Sequence, residues 1–157
     1  MRLRGTAEVD RRRQRLQTTF DLINDQSLSP ELLAHYSRYL CVLVSGFIEM
    51  SVKELVSHYC RLRSAAPVER YVTQQLGRLN NIDLEKLRQL VRAFNPDWLT
   101  ILEEECPDEL QAFLSVASTR NSVSHGGDTG ITIDTVRQYF EQVAVVLMRL
   151  CELFDPG

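Results

Sequence analysis

The strongest constraint on the fold comes from one long segment, about residues 30 to 63, in which apolar side chains recur every three or four residues. That spacing places them along the side of an α-helix. Ser29-Pro30-Glu31 is typical of a helix start, with a hydroxyl N-cap, a proline in the first turn and an acid near the positive end of the dipole. Two stripes run side by side, which predicts a helix buried on more than one side at the centre of a bundle. The stripes are Leu33, Tyr36, Leu40, Leu43, Phe47 and Met50, and Val44, Ile48, Val52, Leu55, Tyr59 and Leu62.

The rest of the chain also predicts helices. Ala65-Ala66-Pro67 ends the long helix, because the residue before a proline avoids helical backbone. Gly126-Gly127 suits the left-handed conformation in which helices often end. We find no internal repeat and no linker between domains, so we expect one all-α domain over residues 1–157, an up-and-down bundle with extra short helices. The first three predicted helices run from about Glu8 to Asp25, from Ser29 to Arg63 and from Pro67 to Leu79. Three more begin at Asp83, at Asn95 and near Pro107. The last helix is capped by a residue within Thr132–Asp134 and runs to about Phe154.

The composition is that of an ordinary soluble domain, with 44% hydrophobic and 25% charged residues. The longest near-apolar run, Tyr39 to Ile48, has about half the length that a membrane-spanning helix needs. The N-terminus lacks the apolar stretch of a secretory signal, so we expect a cytoplasmic protein that makes no membrane contact. The four cysteines are far apart and form no zinc-binding pattern, which favours buried, reduced thiols. The sequence predicts neither a cofactor nor a metal site.

Charge is distributed unevenly along the chain. The formal net charge of -3 argues against a protein that coats nucleic acid nonspecifically. Residues 1–92 hold 15 basic and 10 acidic side chains, whereas residues 93–157 hold 3 basic and 11 acidic ones. The first fifteen residues carry six arginines. They can form a solvated face of the first helix, a flexible N-terminus over residues 1–15, or a patch that contacts phosphate.

One segment, residues 118–127, carries the side chains from which we infer chemistry. Asn121 and His125 are four residues apart and share a helix face, and Arg120 precedes them. Arginine is a permanent cation whose planar fork fits phosphate. An imidazole can exchange a proton with a ribose hydroxyl near neutral pH, and asparagine can donate to a phosphate oxygen or orient the imidazole. Together these groups could cleave RNA without a metal, by attack of the 2′-hydroxyl on the adjacent phosphorus while arginine stabilises the developing charge.

This motif carries a resemblance to a known family. Arg-Asn-x-x-x-His-Gly at residues 120–126, near the end of the penultimate long helix, is followed by Ile-Thr-Ile-Asp-Thr-Val-Arg-Gln-Tyr at residues 131–139. The pattern resembles the HEPN superfamily, above all its RiboL-PSP or MAE-like domains, and the resemblance covers about residues 30–155. It implies a helical bundle that dimerises through the Arg/His helix, so that two copies form one composite ribonuclease site. It also implies that Arg120 and His125 are the catalytic pair, with Asn121 beside the arginine.

The resemblance bears on two further positions. The family often adds an acidic or polar residue from the long helix, and Glu49 is the candidate here. Glu49 can equally be a surface acid paired with Lys53 one turn later. One branch of the superfamily has a tyrosine two residues after the histidine, which a partner nucleotidyltransferase modifies. Gly127 stands at that position, so this chain departs from that branch.

The resemblance favours a metal-independent endoribonuclease from a toxin–antitoxin or antiviral defence system. RNA would be the substrate and a second copy of the chain the first partner. An antitoxin or another operon-encoded protein would be a further partner. Two alternatives stay open at this point: a catalytically inactive module of the same fold that binds RNA or a partner protein, and a purely structural bundle.

Overall fold

The computed structural model describes residues 4–23, 28–124, 126 and 130–155. Regular secondary structure in this part of the chain is entirely α-helical, so the all-α prediction is confirmed. The helices are α1 (Arg4–Leu22), α2 (Pro30–Arg63), α3 (Ala66–Leu76), α4 (Leu84–Phe94), α5 (Pro96–Glu105), α6 (Pro107–Ser124) and α7 (Ile133–Phe154).

The long helix α2 lies at the centre of the bundle, as predicted, and packs against α1, α3, α6 and α7. Ser29 fixes its start, because the Ser29 hydroxyl accepts a hydrogen bond from the backbone N–H of Leu32 at 3.2 Å. On one side of α2, the ring of Phe47 meets Phe140 of α7 with centroids 5.6 Å apart. Phe140 in turn stacks on Phe20 of α1 at 5.2 Å. These rings join α1, α2 and α7 into one core.

A second aromatic cluster ties the short helices to the bundle. Phe154, the last residue of α7, is buried. Its ring lies 5.1 Å from that of Tyr59 on α2, 5.2 Å from Phe94 on α4 and 4.9 Å from Trp98 on α5, centroid to centroid. Because the four rings come from four helices, α4 and α5 are held in a fixed orientation against α2 and α7.

The predicted N-caps of α4, α5 and α7 are present. Their side-chain oxygens accept hydrogen bonds from backbone N–H groups of the first turn, at 2.8 Å for Asp83, 2.9 Å for Asn95 and 3.2 Å for Thr132. These bonds satisfy donors that a helix start leaves unpaired. Helix α3 is shorter than predicted and ends at Leu76. Gly77 still has right-handed helical backbone, but the N–H groups of Arg78 and Leu79 donate to carbonyls three residues back instead of four.

The arginine-rich N-terminal segment is helical from Arg4 on, so α1 begins before the predicted start at Glu8. Glu8 accepts a hydrogen bond from Arg11, one turn later, at 2.6 Å. Pairing within the helix agrees with the interpretation of these arginines as a solvated helix face, and their contact with phosphate stays a prediction. Helix α1 ends at Leu22, and its predicted end at Asp25 lies outside the described residues.

The cysteines are free, buried thiols, which confirms their predicted role as small apolar core residues. They are Cys41, Cys60, Cys106 and Cys151. None of the helices within the described ranges combines the length and the apolar character needed to cross a membrane.

Candidate functional site

The predicted motif lies at the end of α6. This helix is anchored by buried side chains such as Phe113 and Val116, and it packs mainly against α2 and α7. Gly126 has a φ of 74°, and its N–H donates to the carbonyl of Val123 at 3.1 Å. The predicted left-handed glycine at the helix end is therefore confirmed. His125, the predicted proton carrier, lies outside the described residues.

Arg120 differs from the other basic residues in the acidic C-terminal part of the chain. Arg137 pairs with Asp21 at 3.5 Å, and Arg149 pairs with Glu105 at 2.7 Å. Arg120 is partly exposed, and its guanidinium makes no hydrogen bond or ion pair with any residue that the structure describes. Because a guanidinium stays charged at all ordinary pH values, Arg120 is available to bind an anion.

Glu49 and Asn121, which lie on different helices, are joined through a third residue, Asn81. The Nδ2 atom of Asn81 donates to Oδ1 of Asn121 at 2.9 Å. The backbone N–H of Asn81 donates to Oε2 of Glu49 at 3.3 Å. The structure therefore brings the predicted acid of α2 and the predicted asparagine of α6 to one surface, with Asn81 between them.

Glu49 also forms the ion pair that its spacing predicts. Its Oε1 lies 3.0 Å from Nζ of Lys53, and the two side chains keep 22% and 21% of their surface exposed. One carboxylate oxygen thus faces Lys53 while the other accepts the hydrogen bond from Asn81. Because the ammonium lies so close, it offsets the negative charge that Glu49 would present to an anionic ligand nearby.

Asn81 lies in the turn between α3 and α4 and has a φ of 48°, in the left-handed region. The ammonium of Lys86 donates to the carbonyl of Asn80 at 2.7 Å and to that of Asn81 at 3.4 Å, which holds the turn in place. Sequence reasoning missed Asn81. The Asn80-Asn81 pair ahead of Asp83 is a local turn signal, but nothing in the neighbouring residues specifies which helix the turn approaches.

Three sizeable cavities lie elsewhere on the described part of the chain. A cavity of about 660 Å³ is lined chiefly by α1 and α7. One of about 470 Å³ lies between α1 and α2, and one of about 330 Å³ lies beside the start of α2. Glu49, Arg120 and Asn121 line none of them, and Asn121 is exposed. In a single chain Asn121 therefore faces solvent, and Glu49 and Arg120 are partly exposed.

No group of three or more histidine, cysteine, aspartate or glutamate side chains within the described ranges is arranged to hold a metal ion. His125 and Asp128 lie outside those ranges.

Comparison with known proteins identified one family. The family model described as RiboL-PSP-HEPN matches residues 7–155. No significant match was found among curated proteins or among solved structures. The matched range spans α2 to α7 completely and includes Glu49, Asn81 and residues 120–125.

Proposed function

The chain belongs to the RiboL-PSP-HEPN family, and from this premise we propose that it is a metal-independent endoribonuclease. HEPN domains include RNA-cleaving and RNA-binding proteins. One observation favours cleavage in this chain: the guanidinium of Arg120, which has no partner among the residues that the structure describes, adjoins Asn121, whose side chain is tied through Asn81 to Glu49. A charged donor beside an ordered amide suits a phosphate better than it suits a packing contact between helices.

In the proposed reaction, the ribose 2′-oxygen attacks the adjacent phosphorus while the bond from phosphorus to the 5′-oxygen of the next nucleotide breaks. His125 accepts the proton of the 2′-hydroxyl, and the departing 5′-oxygen takes up a proton from a second imidazole or from water. The guanidinium of Arg120 stabilises the negative charge that develops on the phosphoryl oxygens. Asn121 donates to one of those oxygens, and Glu49 supports it from α2. The products carry a 2′,3′-cyclic phosphate and a 5′-hydroxyl.

The proposed active form is a homodimer in which two copies of α6 meet and form one composite site. The exposure of Asn121 in a single chain supports this arrangement, since a second copy would enclose it. A dimer would also bring two Arg120 side chains to one cleft. That local positive charge favours a polyanion even though the chain has a net charge of -3.

The proposed setting follows from the family resemblance. We place the protein in the cytoplasm, in a toxin–antitoxin or antiviral defence system, where RNA cleavage stops growth. A neutralising antitoxin or another protein encoded in the same operon is then the expected partner.

The first test is cleavage of total RNA by purified protein in the presence of EDTA. We expect wild-type protein to cleave, and the 3′ ends of its products to carry a cyclic phosphate. Arg120→Ala and His125→Ala should each lower the rate by at least about 100-fold, because each removes a group that acts in the transition state. Both variants should keep the thermal unfolding midpoint and should no longer inhibit growth on expression.

Arg92→Ala is the matched control, since Arg92 is an exposed arginine on α4. We expect its cleavage rate to equal that of wild type. Full activity in the Arg120 and His125 variants would refute the proposal. Intact RNA that nevertheless stays bound to wild-type protein would favour the inactive binding module instead.

A further inference from the structure

Asn81 has two properties that a turn between helices does not need. Its φ of 48° is adopted most easily by glycine, although asparagine tolerates it better than most other residues. Its side-chain Oδ1 is buried and, within the described part of the chain, has no hydrogen-bond partner. An unsatisfied buried acceptor reduces stability. Glycine at this position would fit the left-handed backbone and would bury no unsatisfied oxygen. The presence of asparagine instead of glycine is therefore not explained by the stability of the turn.

The other end of the same side chain offers an explanation. We propose that Asn81 is a positioning residue of the ribonuclease site, which fixes the orientation of the Asn121 amide. This inference rests on the proposed function. The Nδ2 atom of Asn81 donates a hydrogen bond to Asn121, and the backbone N–H of Asn81 donates one to Glu49. The turn is held further by Lys86, whose ammonium donates to the carbonyl of Asn80 at 2.7 Å.

The direction of the hydrogen bond determines what Asn121 offers to a ligand. An asparagine amide has one oxygen that accepts and one NH₂ group that donates. Because Oδ1 of Asn121 accepts from Asn81, the NH₂ group of Asn121 points away from Asn81 and is the end presented to other partners. A phosphate only accepts hydrogen bonds, so it needs that donor. Without Asn81 the amide can rotate and present its oxygen, which would repel a phosphoryl oxygen.

This arrangement also gives Glu49 an indirect role. Its Oε2 accepts the backbone N–H of Asn81, while its Oε1 is held by Lys53. Glu49 therefore positions the turn rather than the RNA. The order of contacts runs from Lys53 through Glu49 and Asn81 to Asn121, which lies next to Arg120.

The test substitutes Asn81 by glycine, which keeps the left-handed backbone and the backbone N–H to Glu49 but removes the link to Asn121. For Asn81→Gly we expect kcat to fall at least about tenfold, because a misoriented catalytic group is costly. KM should change less than about threefold, and the thermal midpoint should stay within about 3 °C of wild type. Asn80→Gly is the matched control in the same turn, since Asn80 is exposed. It should leave kcat unchanged.

A double-mutant cycle separates positioning from a general effect on the fold. If Asn81 acts through Asn121, then Asn81→Gly should lower kcat less than about twofold in an Asn121→Ala background. Two results would overturn the inference while leaving the proposed function intact. One is an unchanged kcat in Asn81→Gly. The other is a double variant whose kcat falls by the product of the decreases in the two single variants. Intact RNA with wild-type protein would overturn the proposed function and this inference with it.

Discussion

Burial determines the chemistry of the cysteine side chains. It raises the pKa of the thiols of Cys41 and Cys151 to about 11, because the charged thiolate is poorly solvated in the core. The thiolate, not the thiol, is the nucleophile and the metal ligand. At neutral pH these two residues therefore act as small apolar side chains.

The same shifts predict how stability depends on pH. In the unfolded chain the thiols lose their protons near the ordinary pKa of 9.0, whereas in the folded chain they keep them up to about 11. The folded state thus binds more protons in this window, so the free energy of unfolding falls as the pH rises from about 9 to 11. We expect a decrease of up to about 1 kcal/mol per pH unit for each thiol. Urea unfolding at several pH values between about 8 and 10.5 measures it.

A Cys41→Ala variant supplies the comparison. It should be less stable at every pH, because the smaller side chain leaves a gap in the core. Its stability should nevertheless fall less steeply with pH, since one of the four thiols whose pKa burial raises is gone. If the free energy of unfolding fell equally steeply with pH in the variant and in the wild type, Cys41 would not contribute to the loss of stability at alkaline pH.

At the scale of the elements, Asn95 holds the joint between two short helices. Its backbone N–H donates to the carbonyl of Val91, at the end of α4, at 2.9 Å. Its side-chain oxygen accepts from the N–H of Asp97, at the start of α5, also at 2.9 Å. Asn95→Ala should lower the free energy of unfolding by about 1 kcal/mol. Urea unfolding followed by the fluorescence of Trp98, the single tryptophan of the chain, measures the loss.

Asn95→Asp is the control for this joint, because aspartate caps a helix as well as asparagine does. It should retain most of the wild-type stability. If the aspartate variant lost as much as the alanine variant, the side-chain cap would not be the cause.

The helices could be predicted because their signals are local. Ser29, Asp83, Asn95 and Thr132 each cap a helix whose first turn lies within the next three residues. The central position of α2 could be predicted for the same reason, because the spacing of apolar residues over a few turns shows which faces of a helix are buried. The start of α1 was misplaced because no N-cap signal marks it.

The candidate site could be predicted only in part. Arg120, Asn121 and His125 form one short motif, so the sequence could specify them together. The contact between Asn81 and Asn121 joins residues forty positions apart. It depends on how the turn before α4 docks against α6, which the long-range packing of the aromatic cluster helps to fix. No local pattern in the sequence carries that information.

At the scale of the whole molecule, the proposed dimer would use an exposed apolar side chain on α6. Helices α2 and α6 lie side by side, with Sγ of Cys41 3.9 Å from the carbonyl of Val116. Leu114, two residues before Val116 on α6, is 53% exposed. Leu114 shares a helix face with Asn121, seven residues later, because α6 makes two turns between them. A second copy of α6 that meets this face would cover Leu114 and enclose Asn121.

Leu114→Glu tests this arrangement. We expect it to convert the proposed dimer into monomers, because the carboxylates of the two copies would repel each other across the two-fold axis. RNA cleavage should fall at least about tenfold, while the thermal midpoint changes little, since Leu114 is exposed within a single chain. Light scattering coupled to size exclusion measures the mass. Leu62→Glu, at an equally exposed leucine near the end of α2, should remain dimeric and active. A Leu114→Glu protein that stays dimeric would show that this face of α6 is not the interface. A wild-type monomer that cleaves RNA would show that the site does not need two copies of α6.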